Sequence, residues 1–149
     1  MKNLFAALLF VPLSLQAQYN GPESVEHDAA GQRYFVSNTA NNSISQRSYA
    51  GVVTPFATGL PAAPYGLELM GDTLFACMGG SIRGYSTVDA VEVFNLNLGG
   101  SFLNGITTDG EFLYATDFSA KKIFKVNVGQ LTYITLVSST GNTPNGIVW

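Results

Sequence analysis

Only one cysteine and one histidine occur in the 149 residues of this chain. The lone cysteine, Cys77, cannot form a disulfide within the chain, and a single Cys with a single His leaves no ligand set for zinc of the Cys/His kind. A Ser-His-Asp triad would have to use His27, which falls near the end of a short strand-forming stretch. No Gly-x-Ser-x-Gly elbow, His-x-x-x-His pair or phosphate loop occurs. Charge is scarce as well: 11% of residues are charged, against about 25% in typical domains. Lys121, Lys122 and Lys125 make the largest basic group, so the electrostatic footprint of a nucleic-acid binder is missing and no nucleic-acid partner is expected. Beyond residue 18, no stretch sustains the 3.6-residue apolar period of a helix.

What is present is strand chemistry and a repeat. The chain is 46% hydrophobic and 12% aromatic, with 16 glycines and many Val, Thr, Tyr and Phe residues, which favours strands joined by tight turns. One phrase recurs four times: Pro22-Glu23-Ser24-Val25, Pro64-Tyr65-Gly66-Leu67, Leu103-Asn104-Gly105-Ile106 and Pro144-Asn145-Gly146-Ile147. The copies start 42, 39 and 41 residues apart, a period that marks one supersecondary unit used repeatedly. In the third unit, strands are predicted at 105–108, 112–116, 122–126 and 131–137, with Asp109-Gly110 as the first turn. The first unit gives 25–27, 33–37, 43–47 and 52–56, and the second gives 67–69, 73–77, 81–85 and 90–94. A four-stranded antiparallel meander of this size is a propeller blade. The predicted fold is therefore all-β: three four-stranded blades at about 22–63, 64–102 and 103–143, then the first strand of a fourth at 144–149. Propellers close with about four to eight blades, so the chain reads as a truncated piece of a larger array.

The first residues form a separate object. A short basic start, Met1-Lys2-Asn3, precedes a largely apolar run of 12 residues from Leu4 to Leu15, too short to span a bilayer. Gln16-Ala17-Gln18 follows, so residues 1–17 read as a signal peptide cleaved after Ala17, which implies a secreted or periplasmic protein with no membrane attachment after cleavage. Cleavage removes Lys2 and leaves six basic against ten acidic residues, a net charge of −4.

Residues at the entrance of each innermost strand converge on the mouth of a propeller's channel. Here that place belongs to Glu23, Tyr65, Asn104 and Asn145. One carboxylate and two amide carbonyls are hard oxygen donors suited to calcium or a similar divalent cation. The alternative is that Asn-Gly is a turn dipeptide opening a strand. Asn38 and Asp117 stand at matching places after the second strand, where they are expected to close turns by bonding backbone, while the second unit has Met78 there. Cys77, in an apolar run, is expected to be a small buried hydrophobe, and His27 a strand histidine with a backbone or solvent partner.

Glu23, Asn104 and the Pro144-Asn145-Gly146-Ile147 phrase, in that blade order, resemble the gluconolactonase and regucalcin-like family of six-bladed propellers. That resemblance implies a calcium-dependent lactonase with Glu23, Asn104 and Asn145 as metal ligands and Tyr65 facing the pocket. It implies hydrolysis of a sugar lactone or similar cyclic ester, with an acidic residue beyond these positions activating water. The motifs are shared in part with NHL-type propellers, so the second expectation is a non-catalytic extracellular propeller that binds a glycan, peptide or protein partner. With apolar blade faces and strand edges left open, the 149-residue chain is expected to be oligomeric or poorly soluble. Light scattering checks this, and a monodisperse, cooperatively unfolding monomer would contradict it.

Overall fold

The computed structural model describes residues 18–149, so the predicted leader at 1–17 lies outside the described residues. Twelve strands and no helices occur among the described residues. The first blade is β1 (Pro22–Asp28), β2 (Arg33–Asn38), β3 (Ser43–Ser48) and β4 (Val53–Ala57). The second is β5 (Leu67–Met70), β6 (Thr73–Met78), β7 (Ser81–Ser86) and β8 (Glu92–Asn97). The third is β9 (Leu103–Thr108), β10 (Phe112–Asp117), β11 (Lys122–Asn127) and β12 (Thr132–Val137). Each forms one antiparallel sheet in chain order, with β1, β5 and β9 as adjacent innermost strands. Pro55 lies in β4, an outer edge strand, where its missing N–H interrupts no ladder.

The turns set where strands begin. Ala90 and Leu131, predicted to open the fourth strands of their blades, instead close the preceding turns with φ of 60° and 54°. The outer strands start later for that reason, at Glu92 and Thr132. Gly110 (φ 93°) and Gly79 (φ 60°) fill the same left-handed role in the Asp109-Gly110 and Gly79-Gly80 turns at no steric cost. Asp109 secures its turn by accepting from the N–H groups of Glu111 and Phe112 and from the Tyr114 hydroxyl.

The cores lie between blades, not within them. Phe35 and Ile44 of the first blade pack with Leu67, Leu74, Ala76 and Tyr85 of the second. On the other face of the same sheet, Phe75, Cys77 and Ile82 meet Leu103, Leu113 and Phe124 of the third. Successive residues of β6 thus point into two different cores, and the unbroken run Leu74 to Met78 is the consequence. Arg33 braces the first interface: it pairs with Asp28 at 2.9 Å, donates to Gln46, and reaches across to the Thr87 carbonyl at 2.6 Å.

At the innermost strands the backbones come close enough to exclude a side chain. A Cβ on Gly66 would collide with the Asn104 carbonyl, to which the Gly66 N–H donates at 2.8 Å. A Cβ on Gly105 would come within 2.9 Å of the Gly146 Cα. The glycine of the recurring phrase is therefore a blade-to-blade contact. Asn104-Gly105 lies inside β9 and not in a turn, whereas Asn145-Gly146 lies in no strand. The fourth copy of the phrase lies beside β9 but forms no strand, since no second strand stands next to it among the described residues. It is held by the Trp149 N–H donating to Thr107 Oγ1 at 3.2 Å and by the Trp149 ring stacked 5.2 Å from Tyr114. Gly66→Ala is expected to destabilise the chain by about 1–3 kcal/mol through this collision, measured by urea unfolding. Ala at Gly129, whose Cβ would meet only an ordinary contact at 3.8 Å and whose φ is not left-handed, is the comparison.

Candidate functional site

A cleft of about 220 Å³ opens where the innermost strands begin, and Glu23, Asn104 and Asn145 all line it. Ser24, Gly66, Gly105 and Gly146 line it as well. Tyr65 does not line this cleft. Its ring packs edge-on against Phe102 at 4.6 Å, and the phrase of the second blade contributes Gly66 and Leu67 instead. Glu23 and Asn145 are exposed, whereas Asn104 is 6% exposed. No hydrogen bond from a described residue engages the Asn104 side-chain amide, and Glu23 has no ion-pair partner among the described residues. The cleft thus presents the Glu23 carboxylate and the Asn104 amide, with no such contact to either from the described residues.

Local backbone irregularity aims these groups. In β1, Pro22 pairs with Asn38 and Val25 with Val36, so Glu23 and Ser24 together stand opposite the single residue Ser37. In β9, Leu103 pairs with Asp117 and Ile106 with Ala115, so Asn104 and Gly105 stand opposite Thr116. Both donors sit on β-bulges, which turn a side chain out of the regular alternation. The second blade has the same two-for-one arrangement: Tyr65 N–H donates to the Cys77 carbonyl and Cys77 N–H to the Gly66 carbonyl, so Tyr65 and Gly66 together stand opposite Cys77.

The donor set suits a hard cation chemically and is small. Glu23, Asn104 and Asn145 supply three oxygens where calcium takes about six to eight. No group of three or more His, Cys, Asp or Glu residues with metal-holding geometry occurs among the described residues. Cys77 is fully buried, and burial first, then the Glu23 charge, pushes its thiol far up, which leaves it inert. His27 lies towards the other end of β1, with Nε2 2.6 Å from the Tyr49 hydroxyl and its ring stacked on Tyr34 at 4.9 Å. A phenol is thus one partner, and the ring stands exposed.

Sequence reasoning passed over a second pair of carboxylates. Glu26 and Glu68 occupy the same repeat position on adjacent innermost strands, opposite Phe35 and Phe75 in their sheets. Neither has an ion-pair partner among the described residues. Burial raises the Glu26 carboxyl above its ordinary value. Burial and then the Glu26 charge push Glu68 up to about 7. The signal was available in the repeat, since each Glu stands three residues after the phrase's second position, where the third blade has Thr107.

No protein-family model matches the sequence, and no curated protein matches it. Among solved structures, the chain is similar to one in a nidogen/laminin complex, with a TM-score of 0.72 at 20% identity over 84% of this chain and 51% of that one. It is also similar to selenomethionine-substituted virginiamycin B lyase from Staphylococcus aureus, with a TM-score of 0.70 at 20% identity over 86% of this chain and 45% of that one. The chain thus spans about half the length of these solved structures. At such identity the likeness is one of fold, and the fold is the β-propeller.

The raised Glu68 carboxyl gives a pH dependence of defined sign. The folded chain binds this proton more tightly than the unfolded chain, so folding takes up a proton between pH 4.5 and about 7. Stability from this source is fully present below 4.5 and is lost as pH rises through about 7. Asp28 and Asp109, whose carboxyls are held below their ordinary values, act in the opposite sense at lower pH. Urea midpoints taken across that window should fall with rising pH in the wild type, and the fall should be smaller in Glu68→Gln, where only the raised Glu26 remains.

Proposed function

We propose that the channel-mouth cleft binds a divalent cation, calcium by its donor chemistry, and that the whole protein uses the site to hydrolyse a sugar lactone or similar cyclic ester. The observation that carries this reading is the convergence of Glu23, Asn104 and Asn145 from three separate repeats on one cleft. Glu23 would supply the charge, and Asn104 and Asn145 their amide oxygens. Bound there, a cation supplies Lewis-acid polarisation of a lactone carbonyl. The lining glycines Gly66, Gly105 and Gly146 leave room for a small ligand to approach the three donors. Tyr65, turned onto Phe102, would shape the rim only through its backbone. Glu23 is the only carboxylate lining the cleft, so the base that activates water would come from elsewhere in the whole protein. The leader-like residues 1–17 support action outside the cytoplasm, in a secreted or periplasmic setting.

A second reading is a non-catalytic propeller that binds a glycan, peptide or protein partner through its loops. The absence of a base from the described cleft favours it, and the likeness to a chain from a nidogen/laminin complex supports it at the level of fold. Calorimetry with calcium separates cation binding from its absence. The wild type should bind, and Glu23→Gln should weaken binding by at least about tenfold through loss of the only anionic ligand. Equal binding by both proteins would sink the cation reading. Binding without turnover of any lactone by the whole protein would favour the second.

A further inference from the structure

The first and third blades share a side-chain device that the blade between them lacks. The second strand of the first blade ends in Ser37-Asn38, and that of the third in Thr116-Asp117. At the same place the second blade has Cys77-Met78. The hydroxyl of each pair occupies the gap that the bulge opens. Ser37 Oγ accepts from the Ser24 N–H at 2.9 Å, and Thr116 Oγ1 accepts from the Gly105 N–H at 2.8 Å. These are the residues immediately after Glu23 and Asn104.

The Asn and Asp members hold the chain just before each donor. Asn38 Oδ1 accepts from the Asn20 N–H at 2.9 Å, while its amide nitrogen donates to the Val36 carbonyl and Ser45 Oγ. Asp117 accepts from the N–H groups of Ser101 at 2.6 Å and Phe102 at 3.2 Å, and from Ala120 at 2.8 Å within its own turn. Both side chains are buried with their polar atoms satisfied, so neither is itself a ligand. The turn-closing role expected from sequence applies to Asp117 through Ala120. The longer reach, to Asn20 and to Ser101 with Phe102, fixes the segments that lead into the bulges.

We propose that Ser37-Asn38 and Thr116-Asp117 are positioning pairs that aim Glu23 and Asn104 into the cleft, a role that rests on the cation reading above. Each pair clamps its donor from both sides, through the N–H after it and the segment before it. In the second blade, where Tyr65 packs on Phe102 and does not line the cleft, both side-chain clamps are absent and the Gly66 N–H donates to the Asn104 carbonyl instead. A purely structural need would fall equally on all three blades, which share strand order and packing.

The test uses the full chain with calcium as the probe. Asn38→Met and Asp117→Met install the residue that the second blade carries, Thr116→Val removes only a hydroxyl, and Met78→Leu is the control. The first three should weaken calcium binding by about 10- to 100-fold, the usual cost of removing a support behind a ligand, and should speed amide exchange at 22–24 or 103–105. Met78→Leu should change neither. A variant of the first three that unfolds cooperatively and binds calcium like the wild type would overturn the proposal. If the wild type binds no calcium, the cation reading fails by itself. The positioning role is then decided by exchange: unchanged rates at 22–24 and 103–105 in Thr116→Val and Asn38→Met overturn it, and faster rates sustain it.

Discussion

Adjacent blades meet backbone to backbone at the channel, and the space for that meeting exists only because Gly66 and Gly105 carry no side chain. The Gly66 N–H donates to the Asn104 carbonyl across the seam, and Ser24 at the equivalent place in the first blade accepts from the Leu67 N–H through its hydroxyl. This contact sets the spacing of β1, β5 and β9. That spacing in turn decides how far Phe35 reaches into the second blade and Phe75 into the third. A blade alone has little interior of its own, so the stability of the array is largely a sum of such interfaces. The same contact places the residue preceding each glycine at the mouth. Fold and site therefore share one constraint.

The architecture was legible because it is periodic. A phrase repeated every 39 to 42 residues, with turn residues and alternating strands between copies, admits few folds other than a propeller. Strand boundaries were less legible where a turn ends in a residue with no special preference for the left-handed region. Leu131 and Ala90 look like strand residues by hydropathy and neighbours, yet both take positive φ because the hairpin demands it at that position. The innermost strands were underestimated for a different reason. A bulge breaks the two-residue alternation, so Glu23-Ser24 and Asn104 did not register as strand although they lie within β1 and β9.

The site was legible as a place more than as a set of roles. Alignment of the four phrases brought Glu23, Asn104 and Asn145 to one position, and the three do line one cleft. The same alignment put Tyr65 with them, because a position in a repeat does not state which way its side chain turns. Phe102, on the segment leading into β9, offers Tyr65 an edge-on aromatic contact that no comparison of phrases reveals. Glu26 and Glu68 were missed because each looks like an ordinary polar residue of an alternating strand. Only the closeness of β1 and β5 makes them neighbours whose charges oppose one another.

The second blade shows how such an array can vary its function without disturbing its frame. It keeps the glycine at the seam and the aromatic at Phe75, so both of its interfaces pack as the repeat requires. It gives up the hydroxyl and the Asn or Asp at the end of its second strand, where Cys77 and Met78 join the apolar cores. With them it gives up the side-chain clamps and the mouth residue that lines the cleft. Packing residues and mouth residues are thus separable, since the first point between the blades and the second project from the ends of strands already held in place. Substitutions at the mouth change what the cleft can bind at little cost to stacking. Substitutions at the seam glycine change every interface at once.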